Sequence, residues 1–309
     1  KPASHPKPLR VGLDIGSTTV KVVVTRGQEL LFKHYERHFS QVRQKTAEVL
    51  LAAAPVIGGE EFTVALSGSA GFGLAKAAGI EFVQEVFATS KAVDLFADNI
   101  DIVIELGGED AKILFLTGGV EERMNGTCAG GTGAFIDQMA SLLNVTPEEL
   151  NELSSRHEKI YPIASRCGVF AKSDIQPLLN QGARKEDIAA SIFQAVVDQT
   201  ITGLAQGRPI QGKVAFLGGP LFFFTELQKR FVETLKLAPE NAVFPELGQF
   251  SVALGTAIYA GSSGNRSHIE ELISRIESAP NDLSSNRYLA PLFANDEEYR
   301  AFKERHAKA

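Results

Sequence analysis

Residues 11–21 read VGLDIGSTTVK, residues 104–112 read IELGGEDAK and residues 215–220 read AFLGGP. In the first two stretches an apolar, β-branched run ends in an acid, passes through glycine and resumes as a second run. Residues 9–15 (LRVGLDI) and 19–25 (TVKVVVT) flank Gly16-Ser17-Thr18 and predict a hairpin with a tight glycine turn. Residues 101–106 (DIVIEL) and 111–116 (AKILFL) flank Gly107-Gly108 in the same way, about 90 residues later. Duplication of one α/β unit is the economical interpretation.

Working outward, residues 41–54 predict a helix stopped by Pro55, and 62–67 (FTVALS) a strand, after which Gly68 to Gly73 open a short helix. Residues 84–98 are helical by the spacing of Val86, Val93 and Phe96. Thr146-Pro147-Glu148-Glu149 is a helix start, with Thr as N-cap, Pro at N1 and Glu at N3. Residues 184–206 predict a long amphipathic helix, and 213–217 a strand running into Gly218-Gly219-Pro220. Residues 250–262, with Ala253, Gly255, Ala257 and Ala260, suit a closely packed buried helix. The expected division is a first domain over 9–99, completed by helix 250–262, and a second over 100–249. Residues 263–309 read as a linker or accessory helical segment.

The paired glycine turns carry a chemical meaning. A glycine turn lets backbone N–H groups approach a phosphate with no Cβ in the way. Asp14, before the first turn, is placed to hold Mg²⁺ through water, since Mg²⁺ takes oxygen ligands and keeps several waters. Gly16 with the hydroxyls of Ser17 and Thr18 would face the phosphates, with Lys21 beyond them. The second turn offers Glu105 at the place matching Asp14, then Gly107, Gly108, Glu109 and Lys112. Gly218 and Gly219, after a strand, are placed to lie against an adenosine. Any one such turn is most often a plain hairpin; three in this order, two of them preceded by an acid, point to nucleotide. Two other motifs fail. Gly207 to Lys213 has the P-loop spacing but Val214 in place of Ser or Thr, and Gly131-Thr132-Gly133 has Ile136 where a dinucleotide fingerprint needs glycine.

The chain has 309 residues, 44% hydrophobic and 22% charged, and 31 basic against 37 acidic side chains give −6. That composition belongs to an ordinary globular protein of about two domains. The acidity leaves no footprint for nucleic acid or an anionic membrane, and no apolar run is expected to reach the roughly 20 residues of a bilayer span. Residues 1–8 (KPASHPKP) lack the pattern of a signal peptide, the first residue is not Met, and a piece of a larger cytoplasmic protein is the expectation.

Cys128 and Cys167 are the two cysteines, too few for a disulfide framework. Each precedes an amphipathic run, which predicts a position near a helix N-terminus, where the positive helix end favours thiolate. Pro177 is expected to bend the second run. Two such thiols are often small buried hydrophobes. Zinc would need about four ligands, and no His or Cys stands two to five residues beyond either. A [4Fe-4S] cluster takes four thiolates, so two per chain could build one only between two chains.

The three glycine motifs are similar to the two phosphate motifs and the adenosine motif of the actin, hexokinase and heat-shock-chaperone ATPase superfamily. That implies an α/β fold of two ribonuclease-H-like domains closing on ATP. The surroundings of both cysteines, MNGTCAGGTGAFIDQMA and SRCGVFAKSDI, together with GLDIGSTT, GGEDAK and ALGTAIYA, resemble the activators of 2-hydroxyacyl-CoA dehydratases and the ATPase subunits of benzoyl-CoA reductase systems. The resemblance covers roughly residues 9–262. It implies a homodimer holding one [4Fe-4S] cluster on Cys128 and Cys167 of each subunit. It also implies ATP with Mg²⁺, Asp14 and Glu105 as catalytic groups, reduced ferredoxin or flavodoxin as electron donor, and an iron–sulfur enzyme as acceptor. Glu109 stands where many members have Gln. The rival readings are a small-molecule kinase of the amino-sugar type on the same fold and a nucleotide-gated interaction module without a cluster.

Overall fold

The computed structural model describes residues 7–125, 129–164, 167–263, 265–280 and 291–307. The chain opens with three antiparallel strands, β1 (Leu9–Ile15), β2 (Thr19–Arg26) and β3 (Glu29–Arg37), followed by helix α1 (Val42–Ile57). Then come β4 (Phe62–Ser67), α2 (Phe72–Ala78), β5 (Glu81–Phe82) and α3 (Glu85–Ala92), which tightens into a 3₁₀ turn over Val93–Leu95. The pattern restarts with β6 (Ile102–Leu106), β7 (Ala111–Phe115) and β8 (Glu121–Met124). Helices α4 (Gly133–Leu142), α5 (Pro147–Ser154), α6 (Gly168–Asn180) and α7 (Lys185–Asp198) precede β9 (Val214–Leu217). After it lie α8 (Gly219–Phe223), α9 (Thr225–Leu235), β10 (Ala242–Val243), α10 (Ser251–Ser263), β11 (Arg266–Ser267), α11 (Ile269–Glu277) and α12 (Asp296–His306).

Two sheets repeat one connectivity. In the first, β2 lies between β1 and β3, both antiparallel to it; β4 is parallel to β1, and β5 is parallel to β4. In the second, β6, β7, β8, β9 and β10 repeat the relations of β1, β2, β3, β4 and β5. The repeat extends to side-chain register. Asp14 faces Lys21 across the first hairpin and Glu105 faces Lys112 across the second, an offset of 91 residues in both cases (105 − 14 and 112 − 21). The turns close alike, with the N–H of Gly16 donated to the carbonyl of Thr19 and that of Gly107 to Asp110.

Period-two alternation assigns the faces. Leu9, Val11, Leu13 and Ile15 of β1 enter a core with α1 and α2, while Gly12 and Asp14 take the opposite face. There α10 lies so close that a Cβ on Gly12 would stand 2.0 Å from the carbonyl oxygen of Ala253. On the far side of α10, a Cβ on Gly255 would stand 1.7 Å from the carbonyl oxygen of Ala88 in α3. The small residues of 250–262 therefore let one helix pass between a sheet and another helix. In the second sheet Ile102, Ile104 and Leu106 enter a large core with α4–α7 and α9, and Val103 packs on the opposite face with Val93, Ile100 and Leu114.

Three local expectations differ from the structure. Helix α1 runs through Pro55 to Ile57, ending at Gly58 with φ 61°; Pro55 in the final turn forgoes one backbone bond without breaking the helix. Residues 185–205 form one continuous helix, α7 followed by a π-helical stretch over Gln199–Ala205. The helix itself matches expectation; contrary to the expectation that no run reaches bilayer-spanning length, it is long and apolar enough to cross a membrane by length and composition, and two-thirds of its apolar window lies buried in the core. The tail begins as part of the packed structure. β11 pairs with β4, and Ile269, Leu272, Ile273 and Ile276 of α11 are buried in the core of the first sheet. Elsewhere the capping box at Thr146 and Glu149 is formed, with Pro147 at the helix start.

A candidate nucleotide cleft

The three glycine segments meet at one cleft of about 300 Å³ between the sheets. Asp14, Gly16, Ser17, Thr18, Lys21, Glu105, Gly107, Gly108, Gly218 and Gly219 all line it. The two turns touch: a Cβ on Gly108 would stand 2.3 Å from Thr18 Oγ1. Gly218, with φ 92°, has its Cα directed at the end of β6, where a Cβ would stand 2.0 Å from the carbonyl oxygen of Leu106. Gly68 repeats this in the first unit, with φ 103° and a Cβ position 2.2 Å from the carbonyl oxygen of Ile15. Only glycine fits such positive φ and close approach. A Cβ on Gly219 would stand 2.8 Å from the Tyr35 hydroxyl, and the Tyr35 ring meets Phe223 edge-on at 5.7 Å.

Each turn is braced from behind. His38, buried at the end of β3, sets its Nε2 2.9 Å from the carbonyl oxygen of Gly16, while its Nδ1 accepts the N–H of Ser40 at 3.0 Å. Because Nδ1 accepts, Nε2 carries the proton and donates to Gly16. The second turn is held by the start of α4, where the N–H groups of Gly133 and Ala134 donate to the carbonyls of Gly107 and Gly108 at 2.9 and 2.7 Å.

The electrostatics concentrate on the two acid–lysine pairs. Lys21 and Asp14 are 2.7 Å apart and both are buried or nearly so. Burial works against the Lys21 charge, but Asp14 and Tyr35 outweigh it and raise the pKa. Lys112 is buried among three carboxylates: Glu85 in direct ion-paired contact, Asp110 at 2.7 Å and Glu105 at 3.7 Å. Burial opposes its charge too, and Glu105, Glu85 and Asp110 reverse the effect, so it remains protonated. One ammonium cannot neutralise three acids. Burial pushes the Glu105 carboxyl up to about 7 despite Lys112, and burial likewise raises Glu85. Thr89 donates to Glu105 at 3.1 Å. Glu105 therefore exchanges a proton near neutral pH at the cleft wall.

Two residues read from the second motif stand elsewhere. Glu109 is exposed and outside the cleft lining, and the neighbouring Asp110 lines the cleft instead. Lys112 is also absent from the lining and acts on it from beneath, through Glu105, Glu85 and Asp110. Sequence reasoning missed Glu85, Asp110, His38, Tyr35, Arg37 and Asp137. A signal existed for Asp110, which lies 91 residues beyond Thr19 in the matching turn position (110 − 19). None existed for the others, which come from outside the glycine motifs.

Cys128 lies outside the described residues. Cys167 is an unbridged, half-buried thiol at the N-cap of α6, a helix that contains Pro177 in its last turn. Val169 and Phe170, immediately after it, are largely exposed. Among the described residues no group of three or more His, Cys, Asp or Glu is arranged to hold a metal ion.

The chain is 31% identical over 261 residues to the (R)-2-hydroxyglutaryl-CoA dehydratase activating ATPase of Acidaminococcus fermentans, an overlap of 81% of this chain and 96% of that one. The crystal structure of component A of that dehydratase superimposes with a TM-score of 0.72 at 29% identity, covering 83% of this chain and 98% of the other. The activator of 2-hydroxyisocaproyl-CoA dehydratase from Clostridium difficile, solved with bound ADPNP, gives 0.70 at 26% identity, covering 88% and 98%. The BadF/BadG/BcrA/BcrD ATPase family model matches residues 11–260, and the chain belongs to that family.

Proposed function

We propose that the chain is an ATP-dependent activator, passing a low-potential electron to an iron–sulfur enzyme of the 2-hydroxyacyl-CoA dehydratase type. The observation that carries the reading is the joining of three glycine turns and two acid–lysine pairs at one cleft, in a chain whose relatives are dehydratase activators. Gly16, Ser17, Thr18, Gly107 and Gly108 would receive the phosphates, and Gly218 with Gly219 the adenosine. Asp14 would hold Mg²⁺ through water. Glu105, with a pKa of about 7, is suited to accept a proton from the attacking water.

The donor set for a cluster fits half of one. Cys167 is unbridged at a helix N-cap, half-buried and free to ligate. With Cys128 it supplies two of the four thiolates a [4Fe-4S] cluster takes, so two copies of the chain would share one. The exposed Val169 and Phe170 beside Cys167 offer apolar surface for such a homodimer. When bound, the cluster supplies one-electron chemistry, and reduced ferredoxin or flavodoxin is the expected donor. The chain's own residues bind nucleotide, exclude water and place the cysteine segments.

Anaerobic purification with iron analysis tests the reading. Four irons per two chains are expected, lost in Cys167→Ser and in Cys128→Ser while ATP hydrolysis persists. A colourless protein that phosphorylates a sugar would overturn it.

A further inference from the structure

The charges on the cleft are lopsided. Its described lining includes six carboxylates, Asp14, Glu85, Glu105, Asp110, Asp137 and Glu148, and only two cations, Lys21 and Arg37. Lys21 is committed to Asp14 at 2.7 Å with its side chain 13% exposed. Arg37 is held differently. Its guanidinium meets Asp137 at 3.3 Å, with side chains 56% and 40% exposed, so the pair is solvated and weak.

The position of that pair matters. Arg37 ends β3 opposite Thr19, and the next residue, His38, grips the first turn through Gly16 and through the backbone of Thr18. Asp137 lies on α4, whose first N–H groups are bonded to the carbonyls of Gly107 and Gly108. One side chain is thus anchored behind the first phosphate turn, and the other on the helix that holds the second. A guanidinium prefers a phosphate to a single exposed carboxylate, because the phosphate presents more charge and matches its planar fork.

We propose that Arg37 is a phosphate ligand of the bound nucleotide and that Asp137 is its competitor, surrendering the guanidinium when a polyphosphate enters the cleft. The proposal rests on the nucleotide reading of this site and adds a cation from outside the glycine motifs. Transfer of Arg37 also unties α4 from β3, so occupancy of the cleft changes the restraint on the helix next in sequence to Cys128.

The test is equilibrium binding of MgATP and MgADP to the full-length chain, in wild type, Arg37→Gln, Asp137→Asn and the double variant. Circular dichroism melts check that each is folded. Arg37→Gln is expected to weaken binding about tenfold, and Asp137→Asn to tighten it about threefold by removing the competitor. In the Arg37→Gln background, Asp137→Asn is expected to change nothing. Arg37→Lys should recover only part of the loss, since it restores charge without the fork. Wild-type binding that neither single variant alters, or an Asp137→Asn variant that binds more weakly, overturns the proposal alone. Failure of folded wild-type chain to bind either nucleotide overturns the nucleotide reading and the proposal together.

Discussion

Glu85, on the helix that follows the first sheet, is ion-paired with Lys112, on the second strand of the second sheet. The same ammonium faces Glu105 across its own hairpin and Asp110 in the turn. One lysine therefore ties the second glycine turn to the first half of the molecule, and it does so with more acid around it than it can neutralise.

Burial of Glu105 and Glu85, reinforced by their acidic neighbours, makes stability depend on pH. The Glu105 pKa rises from an ordinary 4.5 to about 7 on folding, so the native state holds a proton that the unfolded chain releases earlier. The contribution is fully present below about pH 4.5 and is lost as pH rises through about 7. It is worth about 3 kcal/mol across that window. Burial of Glu85 acts in the same direction. Urea unfolding between pH 4.5 and 8 should show stability falling with pH, and Glu105→Gln should flatten the curve. An equal slope in both proteins would contradict the assignment.

Asp14 and Lys21 form the parallel pair, without the surplus acid. Asp14→Asn is expected to slow MgATP hydrolysis about 100-fold. It should also cost about 3 kcal/mol of stability by leaving a mostly buried ammonium without its partner. Iron content should be untouched, because Asp14 lies on β1 and no described contact links it to Cys167. Paired measurements of turnover and iron per chain decide this, and joint loss would mean Asp14 has another role.

The repeated glycines permit a comparison. Gly218→Ala and Gly68→Ala each force a Cβ onto a backbone carbonyl at positive φ, and each should cost about 2 kcal/mol or more. Only Gly218 lines the cleft. Nucleotide affinity should therefore fall clearly in Gly218→Ala and little in Gly68→Ala, measured at a temperature where both remain folded. Equal losses would show that the effect travels through stability.

The start of the tail can be weighed in the same way. Leu272 on α11 is fully buried, and Arg43 of α1 donates to the carbonyl of Ala279 at 2.7 Å just beyond the helix. Leu272→Ala should lower unfolding free energy by about 3 kcal/mol. A change under about 0.5 kcal/mol, the ordinary range for surface sites, would mean α11 is detached in solution.

The amino-acid sequence by itself determined both hairpins, the spacing between them, the glycine pair after β9 and the capped helix start at Thr146. Each of these is encoded by neighbours within a few residues: alternation, a turn residue free of Cβ, a cap three positions from its donor. The pairing of Asp14 with Lys21 and of Glu105 with Lys112 emerged from the observed register of the strands that each tight turn joins. Helix α1 passing through Pro55, the helical run of 185–205 sinking into the core, and β11 with α11 joining the first sheet were decided by tertiary packing, which supplies burial that local propensity does not specify. The same holds for the cleft. Whether Glu109 or Asp110 turns inward, which carboxylates crowd Lys112, and that Arg37 reaches Asp137 depend on how two sheets face each other. Charges brought together across the fold, 27 residues apart for Glu85 and Lys112 and 100 for Arg37 and Asp137, leave no periodic mark on the chain, and only the folded arrangement gives them partners.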